Sequence, residues 1–240
     1  GGLLPVVYFF RKNDSLLHFV KPVFDRRVFL KTCTNGSSEL MTNLSMSLVN
    51  ALYNLQLMKI AGENGVAAYG AVMYVNFIFV ATFLGYAIGC APVISYHYGA
   101  GNHAELKNLY KKSMSIILVW GVILFGAAQL LAPVLSKIFV GYNTGLYAMT
   151  LHGFRVYAIA FLIIGINIFG SSFFTALNNG LISAVISFLR TLVFQVIMVL
   201  TLPLWFGING IWSAISIAEA LTLIMTTTFF VRQKDKYHYL

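Results

Sequence analysis

Charge is what this sequence has least of. Only 10% of its 240 residues are Asp, Glu, Lys or Arg, and only seven are acidic. Soluble domains carry about 25%. The chain has too little charge to cover a water-facing surface of its size, so an ordinary soluble globular protein is excluded. Cysteine is scarce as well: Cys33 and Cys90 stand alone. Both fall toward the side assigned below to the cytoplasm, where thiols stay reduced, and no disulfide is expected. The sequence has no CxxC, no HExxH and no glycine-rich phosphate loop. Nothing resembles an ion-channel filter. No catalytic constellation is present, so the chain is not read as an enzyme. Alternating ten-residue strands, the mark of a membrane β-barrel, are absent too.

What is present is apolar. Hydrophobic residues make up 59% of the chain, and the mean hydropathy is +0.80. Uncharged blocks cover 40–58, 64–104, 114–136, 156–189 and 191–218. Runs of 18 or more such residues signal membrane helices. The fold class is therefore all-α and polytopic. Six spans are predicted, at 35–58, 66–98, 113–139, 146–177, 181–205 and 210–231. Residues 1–10 (GGLLPVVYFF) are apolar but too short to cross. They read as the tail of a preceding membrane helix in a longer chain. Residues 11–34 read as a linker, 35–231 as the six-span lobe and 232–240 as a polar tail. Gly85, Gly89 and Pro92 are expected to kink the second span or pack it closely.

Loop composition sets the orientation. The links 61–65 (AGENG), 141–145 (GYNTG) and 206–209 (FGIN) are short and turn-like. The opposite side holds Arg11, Lys12, Lys21, Arg26, Arg27, Lys31, Lys107, Lys111, Lys112, Arg232, Lys234 and Lys236, twelve of the sixteen basic residues. The positive-inside rule makes that side cytoplasmic. Both ends of the lobe are expected there, in a multi-pass protein of the plasma membrane. The net charge of +9 is then a topology signal, and nucleic acid is not an expected partner.

A few polar residues remain at membrane depth. On a helical wheel at about 100° per residue, Glu39, Asn43, Ser47, Asn50 and Asn54 share an arc of roughly 80°. The opposite face is Leu44, Leu48, Ala51, Leu52 and Leu55. A carboxylate and three amides cannot face lipid cheaply. The stripe lines a cation or substrate pathway, or it is hydrogen-bonding glue between helices. Asn167, Ser171, Thr175 and Asn178 form a second stripe on the fourth span, a candidate for the same cavity. Arg190 and Glu219 lie roughly 13 and 18 Å from the cytoplasmic ends of their spans at 1.5 Å per residue. They are expected to form a structural intramembrane pair, or else to take part in ion coupling.

Several ordered segments carry a resemblance. They are GSSELMTNLS at 36–45, GCAPVISYHYGAG at 89–101, SSFFTALN at 171–178, SFLR at 187–190 and FGINGIW at 206–212. Together they resemble the second half of the multidrug and toxic compound extrusion (MATE) family, nearest its bacterial drug-efflux branch. The resemblance implies half of a twelve-helix antiporter, whose partners are small-molecule drugs or organic cations, the bilayer and a first lobe. It implies no cofactor other than H⁺ or Na⁺ as coupling ion. By that match Glu39 is the candidate for cation coupling; the polar stripes put Asn43 beside it and a substrate cavity at Ser47, Asn50, Asn54, Asn167 and Ser171. Some members carry an Asp in the tenth helix of the whole protein. This chain has none between 151 and 177, and Asn167 is the nearest polar group there. The rival readings are a flippase of lipid-linked precursors, which calls for a more basic cavity, and an inactive membrane scaffold.

Overall fold

The computed structural model describes residues 3–10, 21 and 24–239, and the side chains of all of these except 4, 5, 28 and 30–42. It divides into two units. In the first, 1–39, helix α1 covers Leu3–Phe10, and a further helix begins at Arg26. The start of that helix is capped by the Asp25 carboxylate, which accepts from the Arg27 N–H at 2.7 Å.

The second unit, 40–240, is the helical lobe. Helix α2 runs Arg26–Gly99 and enters this unit at Leu40. Its residues Asn43–Gly99 form an apolar stretch, broken at Gly62 (φ 62°, ψ −154°). Only glycine takes that conformation without strain. The five-residue link expected at 61–65 is therefore one glycine, with helix on both sides. Gly85 and Gly89 sit in helical backbone, and a Cβ at either meets nothing within 4 Å. They are not close-packing sites in this unit, and the interruption of α2 lies at Gly62 instead.

Helix α3 covers His103–Val140, α4 Thr144–Ala158, α5 Phe161–Ala176, α6 Gly180–Phe188, α7 Phe194–Phe206 and α8 Ile208–Tyr237. Three asparagines in the connections supply helix caps. Asn102 accepts from Glu105 N–H at 3.1 Å, Asn143 from Leu146 N–H at 3.1 Å and Asn179 from Ile182 N–H at 3.3 Å. The predicted fourth span is broken: α4 and α5 meet at 47° across Ile159 and Ala160. The predicted fifth span is α6 and α7, joined by a π-helical turn, Leu189–Val193. The sixth continues as helix to Tyr237, beyond the expected end at 231. Beyond it Tyr239 folds back into the bundle, fully buried, with its hydroxyl donating to the Phe230 carbonyl at 2.9 Å.

Counting legs on both sides of Gly62 and the bent pair as one, six apolar legs traverse the lobe. Helix α5 is its centre and packs on α3, α6 and α8. Gly165 lets the Phe83 ring sit against the α5 backbone. The outer surface is apolar, with Leu130, Leu204 and Trp205 at least 80% exposed. Such a surface belongs in hydrocarbon.

Candidate functional site

The first leg of α2 packs through a face that its polar pattern does not announce. Ser45, Val49, Tyr53 and Leu57, four residues apart, are buried. The Tyr53 ring stacks on Tyr69 of the second leg at 5.1 Å and 9°, tying the two legs together. Asn43, Ser47 and Asn50 are exposed, and Asn54 is half-buried. So are the leucines of the other side: Leu44, Leu48 and Leu55 are all more than half exposed. Ser47 donates to the Asn43 carbonyl at 3.0 Å, and Asn54 to the Asn50 carbonyl at 2.8 Å. The stripe thus leaves the bundle alongside an apolar face. Glu39 lies on helical backbone, but its side chain is outside the described residues. So is that of Cys33.

The second stripe turns the other way. Asn167 is fully buried, and its Nδ2 donates to Glu219 at both the backbone carbonyl (2.9 Å) and Oε2 (2.7 Å). Arg190 donates from Nε to Glu219 Oε1 at 2.8 Å. The ion pair expected from the sequence is thus present. It carries a third member, Asn167, which the sequence placed on the substrate cavity instead. Glu219 is 0% exposed and Arg190 18%. The carboxylate lies within Coulombic reach of the Tyr53 and Tyr157 hydroxyls. Two polar atoms here are buried without a partner: Asn167 Oδ1 and Tyr53 Oη.

Ser171 faces inward too. Its Oγ contacts Ser187 Oγ at 2.7 Å and Ser183 Oγ at 2.9 Å, and Ser183 Oγ contacts Thr175 Oγ1 at 2.6 Å. Four hydroxyls thus form a continuous chain between α5 and α6. Asn167 and Ser171 do not share a surface with Ser47 and Asn50, so a single cavity lined by both stripes is not the arrangement found. Ser183 and Ser187 were not singled out from the sequence. Their four-residue spacing in α6 was the available signal.

Among the described residues, no group of three or more His, Cys, Asp or Glu could hold a metal ion. An apolar hollow lies elsewhere, between α2 and α3, lined by Thr82, Phe83, Tyr86, Ile116, Ile117 and Trp120. Trp120 donates to Thr82 Oγ1 across it at 2.9 Å.

A scan against protein families matches MatE over residues 40–201. The chain belongs to the MatE family. Solved structures agree in fold. A MATE protein in complex with MaL6 superposes with a TM-score of 0.85 at 20% identity, over 99% of this chain and 54% of that one. An outward-facing multidrug resistance MATE transporter of the MOP superfamily gives 0.84 at 20% identity, over 98% and 53%. A MOP superfamily transporter from Pyrococcus furiosus gives 0.84 at 20% identity, over 98% and 54%. The comparison with curated proteins returns no match. The chain spans about half the length of the solved structures it matches. This MatE lobe has the six-leg architecture expected for half of such a transporter.

Proposed function

We propose that this MatE lobe is the second half of an antiporter that exports organic cations from the cytoplasm by alternating access, driven by H⁺ or Na⁺. The observation that carries the reading is the exposed row Asn43, Ser47 and Asn50 beside the exposed apolar residues Leu44, Met46, Leu48 and Leu55. Amides on lipid are costly, so that row belongs against water or another lobe. A site near the midplane between two halves is the general design of secondary transporters. Glu39, four residues before Asn43 on the same arc of the sequence wheel, is the proposed coupling carboxylate. Taking up H⁺ or Na⁺ in one state and the drug cation in the other is enough to link the two fluxes.

The flippase reading needs a basic cavity. Arg190 is already matched by Glu219, which favours cationic cargo instead. The charge count orients the twelve-cation side to the cytoplasm, and the plasma membrane is the proposed location. The test is efflux of a fluorescent organic cation from cells carrying the natural full-length chain, under imposed H⁺ and Na⁺ gradients. Glu39→Gln is expected to abolish ion-driven efflux while dye binding persists. Efflux that survives unchanged removes Glu39 from the role.

A further inference from the structure

The Glu219 site is built to hold a proton as well as a charge. As it stands the carboxylate accepts on both oxygens, from Arg190 on Oε1 and from Asn167 on Oε2. That is the arrangement of an ionised carboxylate, which has no hydrogen to give. A protonated carboxyl must find an acceptor, and in a buried site an unmatched O–H is expensive. One acceptor is already in place without a partner: Asn167 Oδ1, on a side chain that is 0% exposed. A half-turn of the amide about its last torsion replaces Nδ2 with Oδ1 and turns a donor toward Glu219 into an acceptor. Asn167 can therefore serve both states with one rotation, giving up its bond to the Glu219 backbone carbonyl in the protonated one.

A row of hydroxyls leads toward the site. Thr175 is exposed one turn before the Leu177–Gly180 corner, on the side that the charge count assigns to the cytoplasm. From it the hydroxyls of Ser183, Ser171 and Ser187 follow in contacts of 2.6, 2.9 and 2.7 Å. Every member is both donor and acceptor. Ser171 stands four residues from Asn167 along α5, and Ser187 three residues before Arg190. A bridging water is required to complete the path to Glu219.

We infer that Glu219 is a proton-carrying carboxylate inside the lobe, loaded through the hydroxyl chain Thr175–Ser183–Ser171–Ser187, with Asn167 and Arg190 holding its two states. The proton balance is simple. Thr175 takes a proton from a hydronium ion, leaving water, and passes its own to Ser183; each hydroxyl in turn does the same, and the bridging water hands on the proton of Ser187. The last proton forms an O–H bond at Glu219 Oε2, and the Arg190–Glu219 ion pair opens. Arg190 leaves with its charge toward the side on which it is exposed. The groups facing Glu219 are Arg190 on the π turn, Tyr157 on α4, Tyr53 on α2 and Asn167 on α5. Arg190 is the sole cation among them, so the two states differ in whether that cation is matched. The same loading step serves transport if the driving ion is H⁺, and to that extent it rests on the antiport reading.

The test is infrared difference spectroscopy of the natural full-length protein in liposomes after a downward pH jump. Wild type is expected to show the carbonyl stretch of a buried protonated carboxyl. Glu219→Gln is expected to lose it. Ser183→Ala is expected to slow its appearance about tenfold, and Ser183→Thr, which restores a hydroxyl, to recover the rate. A band that persists without Glu219, or a Ser183→Ala rate equal to wild type, overturns the inference. Should Glu219→Gln fail to reach the membrane, Asn167→Leu makes the assignment. The band must then move to higher frequency as its hydrogen bond is lost, and an unmoved band overturns the role of Asn167. Dye efflux in the same liposomes separates the two claims. Flux driven by Na⁺ alone leaves the proton site standing without a part in coupling. Proton-driven flux with no Glu219 band leaves transport standing without this site.

Discussion

Arg190 Nε and Glu219 Oε1 meet at 2.8 Å in a place where the carboxylate has no contact with solvent. The pair joins the π turn between α6 and α7 to the middle of α8, and Asn167 closes it from α5. Removing one partner of such a pair strands the other, at about 3–5 kcal/mol. Because Arg190 keeps 18% exposure, Glu219→Gln should cost about 3 kcal/mol, near the low end of that range. Replacing both residues by apolar ones of similar size should cost less than either single change. Thermal unfolding in detergent orders the three variants. A double variant weaker than both singles contradicts the isolated-charge argument.

The two faces of the first α2 leg should differ in chemistry although both are exposed. Asn50→Cys is expected to react with a membrane-impermeant maleimide and Leu48→Cys to stay unlabelled in intact membranes. Equal labelling of the two would mean that the polar row faces lipid.

Gly62 and Gly85 give opposite expectations. Ala at 62 must adopt φ near 62° and ψ near −154°, at roughly 1–3 kcal/mol. Ala at 85 enters helical backbone with open space around it and should be neutral or slightly stabilising. Apparent melting temperatures in detergent distinguish them, and equal losses at the two sites would refute the conformational reading of Gly62.

Tyr239 ties the end of the chain to the bundle in a pH-dependent way. Burial, and then the neighbouring Tyr110 and Tyr237, push its phenol well above the usual tyrosine value. The folded form therefore holds its proton over a range where the released tail gives it up. The contribution is complete below about pH 10, the ordinary tyrosine value, and fades as pH rises beyond it. Proteolysis of the tail should accelerate above that pH in wild type. Tyr239→Phe, which loses the bond to Phe230, should be cut faster at neutral pH and lose the alkaline dependence.

The spans were legible because lipid forbids charge, and uncharged runs therefore mark them directly. Breaks within spans were not. Residues 61–65 look like a loop because of their Gly and Asn, yet Gly62 alone leaves helical backbone. The bend at Ile159 and Ala160 contains no Gly or Pro to announce it, and the π turn at Leu189 has no composition of its own. The site divides in the same way. Arg190 and Glu219 were legible because opposite charges at matching depth have few other partners. Asn167 was not, because a helical wheel gives a face without naming what lies across it. On the first span, the described part of the stripe, Asn43, Ser47 and Asn50, is exposed together. The span's packing face, Ser45, Val49, Tyr53 and Leu57, lay between the polar and leucine sides and carried no contrast that a wheel could detect.

The way that first leg is held gives it two soft coordinates. It is seated along one side only, and a single glycine joins it to the next leg. Rolling about its seated row or swinging about Gly62 would carry Tyr53 with it, and with Tyr53 one of the groups near Glu219. The amides of Asn43 and Asn50 would move with such a leg, while the Glu219 carboxylate inside the bundle stays fixed as a reference. An ion sensed at either place would be felt as geometry at one and as charge at the other.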